Sequence, residues 1–344
     1  MSNRIFSNGR LRRYLGAAFA WMIGLGLVAA LIIHQDHVDL FSALMVTGWW
    51  FPIFFISYAG TLLLDSIGWR AVIRGAKSFS LIPLALRRWV GVSINALLPV
   101  AQIGGEVARA HLLHRLGTSG HVAAASVIVD LTVGLLMQVC LGLVGLGLLL
   151  MVMDHAGNLI PLGTGLAFFS GLVLVFAALQ RGGLITSPVK LLGRFVKGPM
   201  WYQLVDNAGN LEQQVRSTYR EKGRVFVCAC WRFLGWLWPS LEFWLVFWLL
   251  GHPINLAEAI ILEAIGQIVK TAGFGIPGGL GVQEGGVMLA ASWLTIPTDL
   301  ALVAMLIRRI RDLSCGVIGL FVWTMLEGGR DQRINLQRGI DTVR

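Results

Sequence analysis

Long apolar runs limit what this chain can fold into. Windows at about 14–33, 46–68, 122–151, 159–179, 225–250 and 299–325 are each long and apolar enough to cross a hydrocarbon layer of about 30 Å, which takes about 20 residues of helix. In hydrocarbon a backbone must satisfy its own amide groups, so such windows become helices. A barrel would instead show alternating strands of about 10 residues. Charged residues make up 13% of the 344, against about 25% in a soluble domain. The first window lacks a small-x-small cleavage site before "HQDHVDL", so it is read as a span and not a cleaved leader. The expected fold is an all-α polytopic membrane protein.

Lys and Arg give the orientation. The N-terminal tail holds four, 69–88 five, 180–224 eight and the C-terminal tail four. Arg109 and Arg115 follow, while the connections 34–45, 152–158 and 251–255 hold none. Positive charge stays on the cytoplasmic side, which places both termini there. The net charge of +10 is explained the same way and does not indicate nucleic acid. Arg232, Lys270, Arg308, Arg309 and Arg311 lie inside apolar segments. Burying each costs at least about 2.5 kcal/mol, which marks such charges as candidate site residues.

Two further regions, 81–115 and 256–294, are apolar but interrupted by Pro and Gly. The first contains "LLPVAQIGGEVARAHLL" and the second "GIPGGLGVQEGG". In each a proline precedes a glutamate by seven residues: Pro99 and Glu106, Pro277 and Glu284. Glycines crowd both breaks: Gly104 and Gly105 in one, Gly278, Gly279 and Gly281 in the other. A matched element follows each, "DLTVG" from Asp130 and "DLSCG" from Asp312. The shared order predicts an internal duplication, with 40–151 as the first repeat, 152–224 as connecting span and cytoplasmic amphipathic segment, and 225–325 as the second repeat. The first broken region is flanked by basic residues and the second by none, so the repeats are inverted. Six full spans plus two re-entrant hairpins then form one membrane domain over 1–344, with a transporter-like core.

Broken helix is tolerated at membrane depth only where protein or water satisfies the backbone. A half-helix starting after Pro277, or after Pro99, would point its amide end inward and attract an anion. The candidate substrate contacts are Glu106, Asp130, Glu284, Arg308, Arg309, Arg311 and Lys270, with Gln102 and Gln283 beside the breaks. Guanidinium forks suit phosphate. The carboxylates can bind a head-group amine, carry protons, or only form ion pairs that hold the halves together. Metal and cofactor chemistry is not expected. His111 and His114 are spaced i, i+3 but read as surface residues, and the four cysteines form no C-x-x-C pair. "GGLGVQE" places Glu284 where a dinucleotide fingerprint needs glycine, and no P-loop, zinc-protease motif or nucleophile elbow occurs. In 200–222, Leu204, Val205, Ala208, Leu211, Val215 and Tyr219 make an apolar stripe, expected on the inner membrane surface or as a link between the halves.

These motifs resemble those of the flippase-like family, also called the lysylphosphatidylglycerol synthase transmembrane family. "LDSIGWRAVI" and "ASVIVDLTVGLL" extend the likeness across most of 40–325, and "LLPVAQIGGE" and "VIVDLTV" look closest to its hopanoid-biosynthesis-associated branch. Pro99, Gly104, Gly105 and Glu106 match the first signature. Pro277, Gly278, Gly279, Gly281, Glu284 and Gly285 match the second, with Gln283 where a basic residue is common. The resemblance implies lipid translocation or handling in a bacterial cytoplasmic membrane. The chain ends shortly after its last span, so the soluble aminoacyl-transferase of the bifunctional members is not expected. A membrane lipid is the expected partner. The other classes to separate are a scaffold for lipid-biosynthesis enzymes and a carrier of small solutes.

Overall fold

A computed structural model describes residues 48–75, 79–98, 103–152, 208–272 and 276–341, with single positions such as Leu27 elsewhere; beyond 327 only the backbone is described. The described elements are helical. They are α1 (Phe51–Val72), α2 (Leu81–Leu97), α3 (Gly104–His114), α4 (Gly120–Val152), α5 (Ala208–Arg220), α6 (Lys222–Leu237), α7 (Ser240–Leu249), α8 (Leu256–Ala272), a 3₁₀ turn (Pro277–Gly279), α9 (Val282–Trp293) and α10 (Thr298–Asp341). The expected windows 14–33 and 159–179 lie almost wholly outside the described residues.

α1 and α4 are long and apolar enough to cross a membrane. At 1.5 Å per residue the 33 residues of α4 reach roughly 50 Å, so α4 must tilt or project beyond the bilayer. Large apolar side chains point outward on several helices, among them Ile56, Leu143, Phe226, Trp244 and Val317. That outer face suits lipid and not water.

The window 225–250 is not one straight helix. Pro239 removes an amide donor, and the chain turns at Trp238 and Pro239 between α6 and α7. Beyond the last window, α10 continues to Asp341 as unbroken helix. The amphipathic segment also differs from a surface helix. α5 packs on α4 and α6, and Leu211 and Val215 are buried in a cluster with Trp69, Val129 and Cys228. Its apolar stripe is covered by protein instead of acyl chains. Leu204 and Val205 lie outside the described residues.

α1 runs antiparallel to α6 and α7. At one end Arg74 meets Glu221 at 3.1 Å, and at the other Trp50 stands edge-on to Trp248 with centroids 6.4 Å apart. α4 packs on α8, and α10 packs on α2. Both contacts use glycine to bring backbones close. A Cβ on Gly145 would strike Ala264, and one on Gly316 would sit 2.9 Å from a Leu97 methyl. Trp89 of α2 donates its indole N–H to the Cys315 carbonyl of α10 at 2.9 Å.

Both Pro/Gly regions are broken helices, as their composition predicts. α2 ends at Leu97 and α3 starts at Gly104, where the Gly105 amide donates to Asn95 Oδ1 at 2.8 Å. A Cβ at Gly105 would collide with the Gly91 carbonyl and Asn95. Pro99 and Gln102 lie outside the described residues. In the second region Gly278, Gly279 and Gly281 have φ of 62°, 67° and 77°, a backbone open to glycine at little cost. Adjacent glycines of α9 provide a test. A Cβ on Gly286 would lie 2.8 Å from the stiff Val269 side chain, while one on Gly285 meets nothing within 4 Å. Gly285→Ala should hold or raise the melting temperature in detergent, by about 0.5–1 kcal/mol of helix preference. Gly286→Ala should lower it by at least as much.

Candidate functional site

Charges inside these helices form two clusters. In the first, Asp130 of α4 is fully buried. Its Oδ2 accepts from Arg88 Nη1 of α2 at 3.1 Å and from Arg109 Nη2 of α3 at 2.7 Å. Asp65 of α1 contacts Arg88 at 3.2 Å and Arg232 Nη1 of α6 at 2.5 Å. Glu106 completes it, 3.1 Å from Arg109. Glycine makes room for the groups: side chains on Gly134 and Gly235 would overlap Arg232 and Asp65. The Trp69 ring lies 4.6 Å from the Arg109 guanidinium, adding a cation–π contact.

The second cluster joins α7, α8, α9 and α10. Glu242 of α7 pairs with Arg311 and lies 3.4 Å from Arg308. Glu263 of α8 meets Arg308 Nη1 at 2.7 Å and accepts from Gln267 at 2.7 Å. Arg311 also donates to Asp312 Oδ1, at 2.7 and 3.1 Å. Arg308 lies over Phe243 at 4.2 Å, and Arg311 is 5.5 Å from the Tyr58 ring of α1.

Glu284 occupies the third position of α9, where a side chain reaches back to the helix start. Its Oε2 accepts the Gly281 amide at 2.7 Å, and its Oε1 takes Arg309 Nε and Nη2 at 3.0 and 2.6 Å. Arg309 Nη1 donates to the Gly278 carbonyl at 3.0 Å. Arg309 therefore clamps the glycine turn to α10, and Glu284, fully buried, completes the clamp. Glu106 stands at the same third position of α3 but is spent on Arg109. The glycine turn packs against α2, so the second break meets the end of the helix that precedes the first. Lys270 lies alongside, its stem so close to Gly279 that a Cβ there would be 2.9 Å from Lys270 Cγ. Gln283 is buried facing α8 near Gly266.

The structure thus joins Glu284, Arg309, Lys270 and the glycine turn, and places Arg308 and Arg311 with three carboxylates, Glu242, Glu263 and Asp312. Asp130 and Glu106 belong to the separate first cluster. The acidic partners Asp65, Glu242 and Glu263 were not singled out in the sequence. Each is a carboxylate inside an apolar segment, Asp65 and Glu242 in full-length windows and Glu263 in the second interrupted region, the same signal that marked the arginines. Among the described residues no group of three His, Cys, Asp or Glu is placed to hold a metal, and all four cysteines are free thiols.

An all-helical bundle with an apolar outer face and internally paired charges defines an integral membrane protein. The profile of the lysylphosphatidylglycerol synthase TM region matches residues 18–319, and the chain belongs to that family. Membership ties it to lipid handling in a membrane. Neither the curated proteins nor the solved structures compared give a match.

Removing one partner from a buried pair leaves an uncompensated charge, at a cost of about 3–5 kcal/mol. Asp130→Asn, which leaves three guanidinium groups to Asp65 and Glu106 alone, should therefore lower the folded fraction in detergent size exclusion. Glu221→Gln breaks only exposed pairs, with Arg74 and Arg224, and should leave the elution profile unchanged.

Proposed function

We propose that this chain is a flippase-like transporter, and not an enzyme, that moves or handles a polar-headed lipid of phospholipid, polyprenyl-phosphate or hopanoid type. It works in the bacterial cytoplasmic membrane, in the orientation that puts both termini in the cytoplasm. The observation that carries the reading is the packing of the second break's glycine turn against the end of α2, with Arg309 and Lys270 beside that contact. A lipid head group would bind there while its tail stays in the bilayer. Nucleic acid has no part in this reading.

Inverted repeats are part of the same proposal. α3 and α9 have 11 and 12 residues, or roughly 16–18 Å, too short to cross about 30 Å. Their length supports re-entrant half-helices. The exchange of partners, α4 on α8 and α10 on α2, supports two halves of like construction. The basic end of α1 beside that of α6, with the tryptophans opposite, agrees with the orientation.

One observation favours a scaffold instead: the carboxylates and arginines of both clusters are largely used on each other, as structural pairs would be. A scaffold would move no lipid, and its variants would lose co-purifying biosynthesis enzymes. Vesicles reconstituted with the pure protein and acyl-labelled lipids separate the readings. Glu284→Gln and Arg309→Ala should each slow lipid movement by tenfold or more, since a charge-assisted bond contributes about 1.5–3 kcal/mol. Wild-type rates in both well-folded variants would remove the site from the transport reading.

A further inference from the structure

The second cluster leaves one charge of each sign available. Among the described residues Lys270 has no carboxylate in ion-pair contact, although Asp312 is its leading favourable electrostatic neighbour. Asp312 spends only Oδ1 on Arg311, and its side chain remains 31% exposed. Helix spacing puts each on the face of its own helix that carries the Glu263–Arg308 pair. Glu263, Gln267 and Lys270 follow i, i+4, i+7 along α8, and Arg308 and Asp312 follow i, i+4 along α10. Glu263 and Arg308 close one rung between these helices. Lys270 and Asp312 lie further along these two faces, each with an electrostatic influence on the other and no ion-pair contact between them.

Charge balance narrows what can fill it. Arg308, Arg309, Arg311 and Lys270 offset Glu242, Glu263, Glu284 and Asp312, so the cluster is formally neutral. A ligand with net charge would leave an excess charge at low dielectric, which is costly. A ligand bearing both signs keeps neutrality and supplies each open group with its partner.

We propose that Lys270 and Asp312 form a dipolar head-group site for an amine-bearing phospholipid, the Lys270 ammonium taking the phosphate and the free Asp312 oxygen taking the amine. This rests on the transport reading above and names its substrate class. Arg309, held by Glu284 and the Gly278 carbonyl, orients the turn behind Lys270 and does not serve as the main anchor.

The test uses the full chain in vesicles with acyl-labelled phosphatidylethanolamine or phosphatidylglycerol. Binding of each lipid, and of soluble phosphoethanolamine, is read in parallel by native mass spectrometry in detergent. Wild type should favour the ethanolamine lipid by about tenfold, the worth of one charge-assisted bond. Asp312→Asn should erase the preference, Lys270→Gln should weaken binding of both lipids, and Lys270→Arg should keep the wild-type behaviour. If Asp312→Asn fails to fold, wild-type binding of phosphatidylethanolamine against its N-acetyl derivative, which lacks the cationic amine, decides in its place: equal binding overturns the site. Equal handling of both lipids, or preference for phosphatidylglycerol, overturns the site even where lipid moves. Selective ethanolamine-lipid binding weakened in Lys270→Gln, with no movement of any lipid, keeps the site and defeats the transport reading. Binding of phosphoethanolamine without the lipid overturns the lipid assignment.

Discussion

A charge inside a membrane helix must find its opposite, and that requirement organises this fold. Asp130 is inaccessible to water, and guanidinium groups from three other helices, with the Cys228 thiol, surround its carboxylate. Glu242 and Glu263 likewise meet Arg308 and Arg311 of α10, and Glu263 also accepts from Gln267. Apolar packing between helices has no solvent-driven force in lipid, because the tails are as apolar as the side chains. Ion pairs and glycine contacts therefore fix which helices meet. The glycines facing Arg232 and Asp65 show the two devices combined, with space left for a charged group.

Much of this architecture could be read from residue types. Pro and Gly mark both breaks because few other residues tolerate left-handed backbone or a missing donor. Glutamate seven residues after proline predicts an acid in the first turn of each short helix, where α3 and α9 carry Glu106 and Glu284. What stayed hidden is pairing across sequence. Nothing local to Glu263 says that it meets Arg308, and nothing local to Asp65 says that it meets Arg232. The stripe on α5 was plain, but its period is the same whether lipid or α4 covers it. The bend at Pro239 was also open to reading, since a proline interior to an apolar window removes a helix bond.

Glu284 illustrates how a conspicuous residue can act through another. Its carboxylate is consumed by the Gly281 amide and by Arg309. What it contributes is the shape of the turn and the placing of a cation beside α2. Lys270 draws less attention in the sequence, yet it retains an ammonium that no described carboxylate claims. In an environment without free water, the unspent group is better placed to meet a ligand than the one already satisfied.

The bend between α6 and α7 has a further consequence. Arg232 before it belongs with Asp65 and Asp130, while Glu242 after it belongs with Arg308 and Arg311. The boundary drawn by the chain's sequence pattern, near residue 225, is thus not the boundary drawn by electrostatics, near residue 239. The early segment borrows a helix from the later one, much as swapped protomers exchange an arm. A gene cut near residue 225 would give a first fragment missing a cation and a second carrying a spare one, so neither piece would be a self-sufficient unit.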